Sequence, residues 1–408
     1  MRANKRRDDM YTMIDLFAGA GGLSTGLQSA GIQCLYANEI QARYLDTYRA
    51  NHPKTKADGG DIREIDAAAV RRSLGLKKGD LTLIAGGPPC QGFSIYAPKR
   101  SVLDERNHLF KEYLRFVDEF QPSAVLIENV PGLVSFERGE TLASILTALT
   151  DRGYSPDVRI LYAPHYGVPQ TRWRTIVIAL KRPELTELAF PIPDRSAPAR
   201  VNFTARFAGK NLVSLPVSGE LPQHITVRDA LSDLPQLKNG EHYESGGAYS
   251  RAAANEYQRL LRTGSPGIYN HEAPKLGPVN MERLKHIAPG GNWTDIPHEM
   301  LPAGMKRARR SDHTKRYGRA DPDGLSCTIL TKCDPHWGAY FHYDQDRIFT
   351  VREAARLQSF PDNYVFQGSR IQQYEQVGNA VPPLMARAIG SSILSALIKV
   401  SFSRKAAD

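Results

Sequence analysis

The stretch DLFAGAGGL, residues 15–23, continues the apolar run TMI of residues 12–14 and leads into an amphipathic run near residues 23–30. Strand, glycine turn and helix in that order put a tight turn at the end of a first strand and aim a helix N-terminus at a ligand. The same alternation extends outward. IQCLYANE (32–39) reads as a second strand and QARYLDTYRANH (41–52) as a second helix. LTLIAGG (81–87) and SAVLIEN (123–129) are short, branched and apolar at their centres, as strands buried on both faces are. NHLFKEYLRFVDEF (107–120) between them reads as a helix, and TIVIAL (175–180) as a further strand. Strands alternating with helices predict an α/β fold with a doubly wound, mostly parallel sheet.

The pattern breaks after residue 181. From 181 to 347 the chain is rich in Pro, Gly, Asn and charge, with short helical runs such as VRDALSDL (227–234). Helical patterning returns at VREAARLQSF (351–360) and over residues 383–400. Three parts are therefore expected: 1–180 as a ligand-binding α/β unit, 181–347 as a smaller loop-rich insertion, and 348–408 as a segment returning to the first. A chain of 408 residues suits more than one core. The formal net charge of +10 favours a polyanionic partner. No run of about 20 apolar residues is present, and the basic N-terminus lacks the apolar stretch of a signal peptide, so a cytoplasmic protein without a membrane partner is expected. The four cysteines, Cys34, Cys90, Cys327 and Cys333, have neither zinc-ligand nor disulfide spacing, and no metal is expected.

Gly19, Gly21 and Gly22 form the turn after the first strand. Glu39 ends the second strand, where a carboxylate can accept from ribose hydroxyls, and Asp61 in GGDIRE could accept from an adenine amino group. These features point to an adenosine cofactor, and the glycines alone would equally fit a dehydrogenase. GGPPCQGFS (86–94) follows an apolar strand directly, which places Cys90 at the carboxyl edge of the sheet, facing the ligand crevice; Cys34 instead lies within a strand. Glu128, in ENVPG, ends the next strand and can face the same crevice. QTRWRTIVIA (170–179) supplies Arg172 and Arg174, which alternation puts on one side.

In these residues the chain resembles the DNA cytosine-5 methyltransferase family of the bacterial restriction-modification type. The resemblance covers DLFAGAGGL, Glu39, Asp61, GGPPCQGFS, the ENV of residues 128–130, QTRWR, TVREAARLQSFPD and YEQVGNAVPP, in the family's order. It implies a Rossmann-like methyltransferase sheet with S-adenosylmethionine as cofactor. It implies Cys90 as the thiolate that adds to carbon 6 of cytosine, Glu128 at ring nitrogen 3, and Arg174, with Arg172 beside it, at the carbonyl at position 2. Phe17 would lie beside the adenine, with Leu23, Ile40, Ile62 and Pro89 also lining the cofactor, and Gly378, Asn379 and Val381 would return to the glycine loop. Ser359 stands where the family commonly has glycine, with a minor structural effect expected. Residues 181–347 take the place of the target recognition domain. There Arg307, Arg309, Arg310, Arg316 and Arg319, in the basic run MKRARRSDHTKRYGR (305–319), are candidates for DNA contacts, as are Thr328 in the short Cys-Thr-Ile element and Gln91 and Ser94 after Cys90.

The implied partner is double-stranded DNA, acted on by a monomer, with a cognate restriction endonuclease as a further partner. An RNA cytosine-5 methyltransferase and a catalytically inactive DNA-binding regulator stay open as alternatives. An exocyclic-amino methyltransferase does not fit, because a nitrogen lone pair needs no thiol.

Overall fold

The alternation of small and branched residues in LIAG and AVLIEN buries both faces of the strands they form, and the sheet grows outward from these two. The computed structural model describes residues 11–88, 109–216 and 220–405. The α/β part runs β1 (Thr12–Leu16), α1 (Gly22–Ser29), β2 (Gln33–Asn38), α2 (Ala42–Asn51), β3 (Lys56–Asp58), α3 (Ala67–Ser73), β4 (Leu83–Gly86), α4 (Leu109–Phe120), β5 (Ala124–Asn129), α5 (Glu140–Thr150), β6 (Ser155–Tyr162) and β7 (Trp173–Leu180). These strands form one seven-stranded sheet in the order β3-β2-β1-β4-β5-β7-β6. β1 to β5 pair in parallel, and β7 runs antiparallel to both β5 and β6.

The topology fixes where a ligand can bind. After β1 the chain winds one way to β2 and β3, then crosses back to β4 and β5, so the order reverses between β1 and β4. In register, Leu16 lies opposite both Asn38 and Gly86, and Gly86 opposite Ile127. The carboxyl ends of the four strands are therefore level, and the crevice at the reversal is where such sheets bind ligands. Because β7 is antiparallel, its beginning reaches the same edge: Thr175 pairs with Asn129.

Strand alternation divides the core in two. Ile14, Leu16, Ile84, Val125, Ile127 and Val177 pack on one face, and Met13, Leu83, Ala85, Leu126, Ile176 and Ile178 on the other. The second face is closed by α12 (Pro383–Lys405), which crosses α1 closely. A Cβ on Gly26 would stand 2.3 Å from the Pro383 carbonyl oxygen, so only glycine permits this approach. Residues 370–398 hold a window of mean hydropathy 1.4, apolar enough by composition to cross a membrane, and that window is 56% buried in the protein.

β3 and β6 are additions to the sequence reading. Lys56–Asp58 has no apolar signature, and Ser155–Tyr162 begins with Pro156 and a charge. Their positions are set by pairing with neighbours rather than by their own pattern.

Between β7 and the C-terminal helices lie α6 (Pro183–Thr186), β8 (Arg206–Phe207), β9 (Lys210–Asn211), α7 (Val227–Leu231), α8 (Glu256–Arg262) and α9 (Pro278–Leu284). Leu284, Ile287, Trp293, Met305, Tyr317 and Phe341 form a small core of their own. α10 (Val351–Leu357) is wholly buried, and α11 (Arg370–Asn379) follows it. Ion pairs without solvent contact join these helices to what precedes them. Arg347 meets Glu353 at 2.7 Å, and Arg356 meets Asp362 at 2.6 Å and also Asp233. The expected junction at 347/348 thus falls inside a buried network. Arg356 removed alone would leave Asp233 to Arg262 at 2.9 Å and Asp362 to Arg352 at 3.9 Å, so the cluster would lose its central cation without stranding either carboxylate.

Candidate active site

The carboxyl edge is organised by hydrogen bonds from the glycine loop outward. Gly19 N–H donates to Glu39 Oε2 at 2.9 Å and Gln41 N–H to Oε1 at 2.8 Å, so the carboxylate at the end of β2 laces the loop in place. Gly21 is required on two counts. Its φ is +89°, and a Cβ there would lie 2.6 Å from the Tyr364 hydroxyl and 2.7 Å from His52 Nε2. Gly22 lets the first turn of α1 reach Val381, whose carbonyl oxygen would be 2.4 Å from an added Cβ. Around Gly19, by contrast, nothing stands within 4 Å of that position. The loop is clamped from behind and open in front. On the open side Ile40 is 59% exposed, beside the buried carboxylate of Glu39 and the partly accessible carboxylate of Asp61. Asp61 is held by Arg63 at 2.5 Å, which lowers its pKa. Two acceptors, an apolar side chain and an open glycine turn fit the hydroxyls, amino group and ring of an adenosine.

Other expected cofactor residues sit differently. Leu23 and Ile62 point into the two cores, leaving only their backbone to face a ligand. Phe17 is half-buried with φ +60°. Asn379 donates to the Tyr44 hydroxyl at 2.9 Å. Gly378 lies against Leu330 and Thr331; a Cβ there would come within 2.4 Å of the Leu330 backbone.

Beneath the loop Asp15 is fully buried. Its Oδ2 accepts from the Ser24 hydroxyl at 2.6 Å, and its Oδ1 has no hydrogen-bond partner among the described residues. Burial pushes its carboxyl up to about 7, against the Ser24 bond and with help from Glu39 and Glu128. A raised carboxyl binds its proton in the folded chain where the unfolded chain has lost it. Asp15 therefore lowers stability progressively as pH rises from about 4 to about 7, by up to about 4 kcal/mol, and the effect is flat above that. Buried His52, His165 and His342, each lowered to about 4, act in the opposite sense over an overlapping window. The difference between Asp15→Asn and wild type isolates the Asp15 contribution. Denaturant unfolding should show the variant gaining on wild type as pH is raised from 5 to 8, and a pH-independent difference would refute the assignment.

At the end of β5, Glu128 Oε1 stands 2.5 Å from Arg174 Nε, and both side chains are about nine-tenths buried. Burial lowers the Arg174 pKa and Glu128 counters it. Gly87 makes room for the pair, since a Cβ there would lie 3.1 Å from Glu128 Oε2. Asn129, the neighbour of Glu128, donates to the Pro88 carbonyl at 3.2 Å and so fixes the start of the segment that carries Cys90. Sequence reading passed over this asparagine, although it stands in the Glu-Asn-Val run. Pro89, Cys90, Gln91 and Ser94 lie outside the described residues.

The two arginines part company. Arg172 precedes β7 and is buried, and its guanidinium donates to the carbonyls of Ile329 (3.2 Å), Gly378 (2.8 Å) and Ala380 (3.0 Å). Alternation put both on one side, but Arg172 turns inward and ties three segments together. Gln170 does the same: it donates to the Leu357 carbonyl at 3.0 Å and accepts from Ile329 N–H at 2.8 Å. The Thr328 hydroxyl bonds the Thr171 carbonyl, so the Cys-Thr-Ile element is strapped to the strand that carries Arg174. Ser359, with φ +67°, explains a glycine preference there. Its hydroxyl accepts from Leu384 N–H at 3.1 Å, which offsets some of the strain.

Of the basic run, Arg307, Arg309 and Arg310 are exposed. Arg316 is half-buried over the Trp337 ring, 5.2 Å from its centroid. Arg319 is engaged at three points, with the His342 and Ile287 carbonyls and the Asp346 carboxylate.

Comparison with known proteins bears on this arrangement. A family model described as C-5 cytosine-specific DNA methylase matches residues 11–395. The Type II methyltransferase M.AgeI of Thalassovita gelatinovora is 34% identical over 94% of this chain and 99% of its own length. M1.HphI of Haemophilus parahaemolyticus is 34% identical over 94% of this chain and 86% of its own. In structure, a DNA modification methyltransferase encoded within an Escherichia coli prophage superposes with a TM-score of 0.69, at 24% identity, covering 95% of this chain and 99% of that one.

Proposed function

The chain belongs to the C-5 cytosine-specific DNA methylase family, and from that premise we propose that Cys90, Glu128 and Arg174 methylate a cytosine flipped out of duplex DNA at a sequence chosen by residues 181–347. The observation that carries this reading is the Glu128–Arg174 pair, held at the level carboxyl edge beside the open glycine loop. Cys90 follows Gly87 by three residues, a span of at most about 11 Å, and Gly87 touches Glu128.

The assigned roles follow from the chemistry. Carbon 5 of cytosine is a poor nucleophile. The Cys90 thiolate forms a bond to carbon 6, and the displaced electron pair moves toward nitrogen 3, where Glu128 holds or supplies a proton. Arg174 bonds the carbonyl at position 2 and stabilises its growing charge. The resulting enamine takes up the methyl group at carbon 5. Loss of the carbon 5 proton then expels the Cys90 sulfur and restores the ring. S-adenosylmethionine, held by Glu39, Asp61, Ile40 and the Gly19 turn, supplies an electrophilic methyl group on a sulfonium. Arg172 acts as a positioning residue, fixing the recognition element and residues 378–380 against the strand that bears Arg174. A cytosine stacked in a duplex cannot present carbon 6 to a thiol, so it must leave the stack. The bacterial relatives are Type II methyltransferases by name, which supports a restriction-modification context; within it we propose a cytoplasmic, monomeric enzyme paired with a restriction endonuclease.

Bisulfite sequencing of DNA from cells expressing the protein should reveal 5-methylcytosine within one short sequence. Purified enzyme should transfer methyl groups to duplex DNA and not to RNA. Exchange of residues 181–347 for those of a related enzyme should move the methylated sequence with the exchanged segment. An active hybrid that keeps the original site would place recognition in the α/β part instead.

A further inference from the structure

Trp337 is the one exposed phenylalanine, tyrosine or tryptophan among the described residues up to 398, at 51% of its surface. Its surroundings hold it there. The Asp334 carboxylate accepts from His336 N–H at 2.8 Å and the Asp334 carbonyl from Trp337 N–H at 2.9 Å, a tight turn that projects the indole outward. The loop is closed at its base by the Tyr340 hydroxyl, which bridges the Thr328 carbonyl at 2.9 Å and Leu330 N–H at 3.1 Å. Its middle is tied to the basic run, since Tyr317 N–H donates to the Pro335 carbonyl at 2.6 Å.

A cation and an aromatic ring stand against the indole. The Arg316 guanidinium stands 5.2 Å from its centroid and the His336 ring 5.0 Å, edge to face. His336 in turn meets Tyr317, over which Arg283 stands at 5.6 Å. Lys315 and Lys332 are exposed nearby in sequence, and Asp334 is the acidic residue of the turn, its carboxylate turned to its own backbone. A large apolar ring left half in water beside a cation held over it has no purpose in the fold of this loop, which Tyr340 and Tyr317 already secure. Such a surface fits a polyanion with flat apolar faces. The loop begins at Leu330, against Gly378, immediately after the element strapped to the strand of Arg174.

We propose that the loop from Leu330 to Tyr340 is a DNA-anchoring element, in which Trp337 packs on a deoxyribose beside the target site and Arg316 meets the adjoining phosphate. The inference rests on duplex DNA being the substrate. Sugar and phosphate are common to every sequence, so this element adds affinity without choice.

The test uses the full chain and a duplex containing its methylated site, in the presence of S-adenosylhomocysteine. Trp337→Ala should raise Kd about 10-fold or more, as loss of an anchoring tryptophan does, while Trp337→Phe keeps most of the affinity. The bisulfite pattern of Trp337→Ala should keep the wild-type sequence. Arg316→Ala should reduce the slope of log Kd against log salt by about one ion, whereas Trp337→Ala should leave that slope unchanged. The other tryptophans are Trp293, which is buried, and Trp173, stacked on Tyr162 at 4.2 Å. Bound duplex should therefore protect wild-type fluorescence from acrylamide, and the protection should vanish in Trp337→Phe. Unchanged affinity and unchanged acrylamide access, in an enzyme that still methylates duplex DNA, overturn the anchoring role and leave the function intact. Methylation of RNA in place of DNA overturns the function itself, and this surface with it.

Discussion

Replacing Cys90 with serine should abolish methyl transfer, by on the order of 10⁴-fold or more, while cofactor binding and the thermal unfolding midpoint stay close to wild type. The reason is acidity. A thiol near its ordinary pKa supplies a usable fraction of thiolate at neutral pH, and a serine hydroxyl supplies almost none. Nothing else in the crevice offers a replacement, because among the described residues the remaining cysteines, Cys34, Cys327 and Cys333, are buried. Burial pushes each of their thiols up, that of Cys34 to about 12. A duplex carrying 5-fluorocytosine at the target should trap wild type covalently, since fluorine cannot leave as a proton does, and should not trap Cys90→Ser. Substantial turnover by the serine variant would falsify the thiolate mechanism, whatever the state of the trap.

Glu128→Gln should slow the chemical step by roughly 10²–10⁴, the range for loss of a positioned acid or base. Its effect on duplex affinity should be far smaller. Glutamine keeps the shape that Gly87 accommodates, but it carries no charge to balance Arg174 and no acidic proton for nitrogen 3. Single-turnover rates with saturating cofactor and DNA separate this from weakened binding. A second variant, Arg174→Ala, guards against reading a folding defect as chemistry, for it also removes the buried pair. It should lower the rate and weaken capture of the flipped base together. If Glu128→Gln raised only the cofactor Kd and left the single-turnover rate alone, Glu128 would belong to the cofactor site.

The doubly wound sheet and the carboxyl edge proposed for the site were legible in the residues. LIAG and AVLIEN are buried on both faces, so their apolar runs carry the parallel core. The glycines at 19, 21 and 22 mark a turn that favours them, because contacts at Gly21 and Gly22 leave no room for a side chain and positive φ at Gly19 disfavours one. Glu39, Glu128 and Arg174 could be placed along one edge because each lies at the end or beginning of a strand, and strand ends share an edge. What the sequence could not settle is which way side chains turn once strands are level. Alternation gave Arg172 and Arg174 the same face, yet only Arg174 meets Glu128. Arg172 lies one residue before β7, where the strand's alternation no longer governs it, and three carbonyls distant in sequence capture it. β3 and β6 escaped notice for a related reason, being held by partners rather than by their own residues. Asn129, Gln170 and Tyr364 are likewise polar groups whose worth depends on carbonyls far along the chain. Local pattern determined the sheet and its carboxyl edge, because burial and backbone freedom act residue by residue. Tertiary structure alone decided the clamps around that edge, because a hydrogen bond across some 200 residues leaves no periodic trace in either partner.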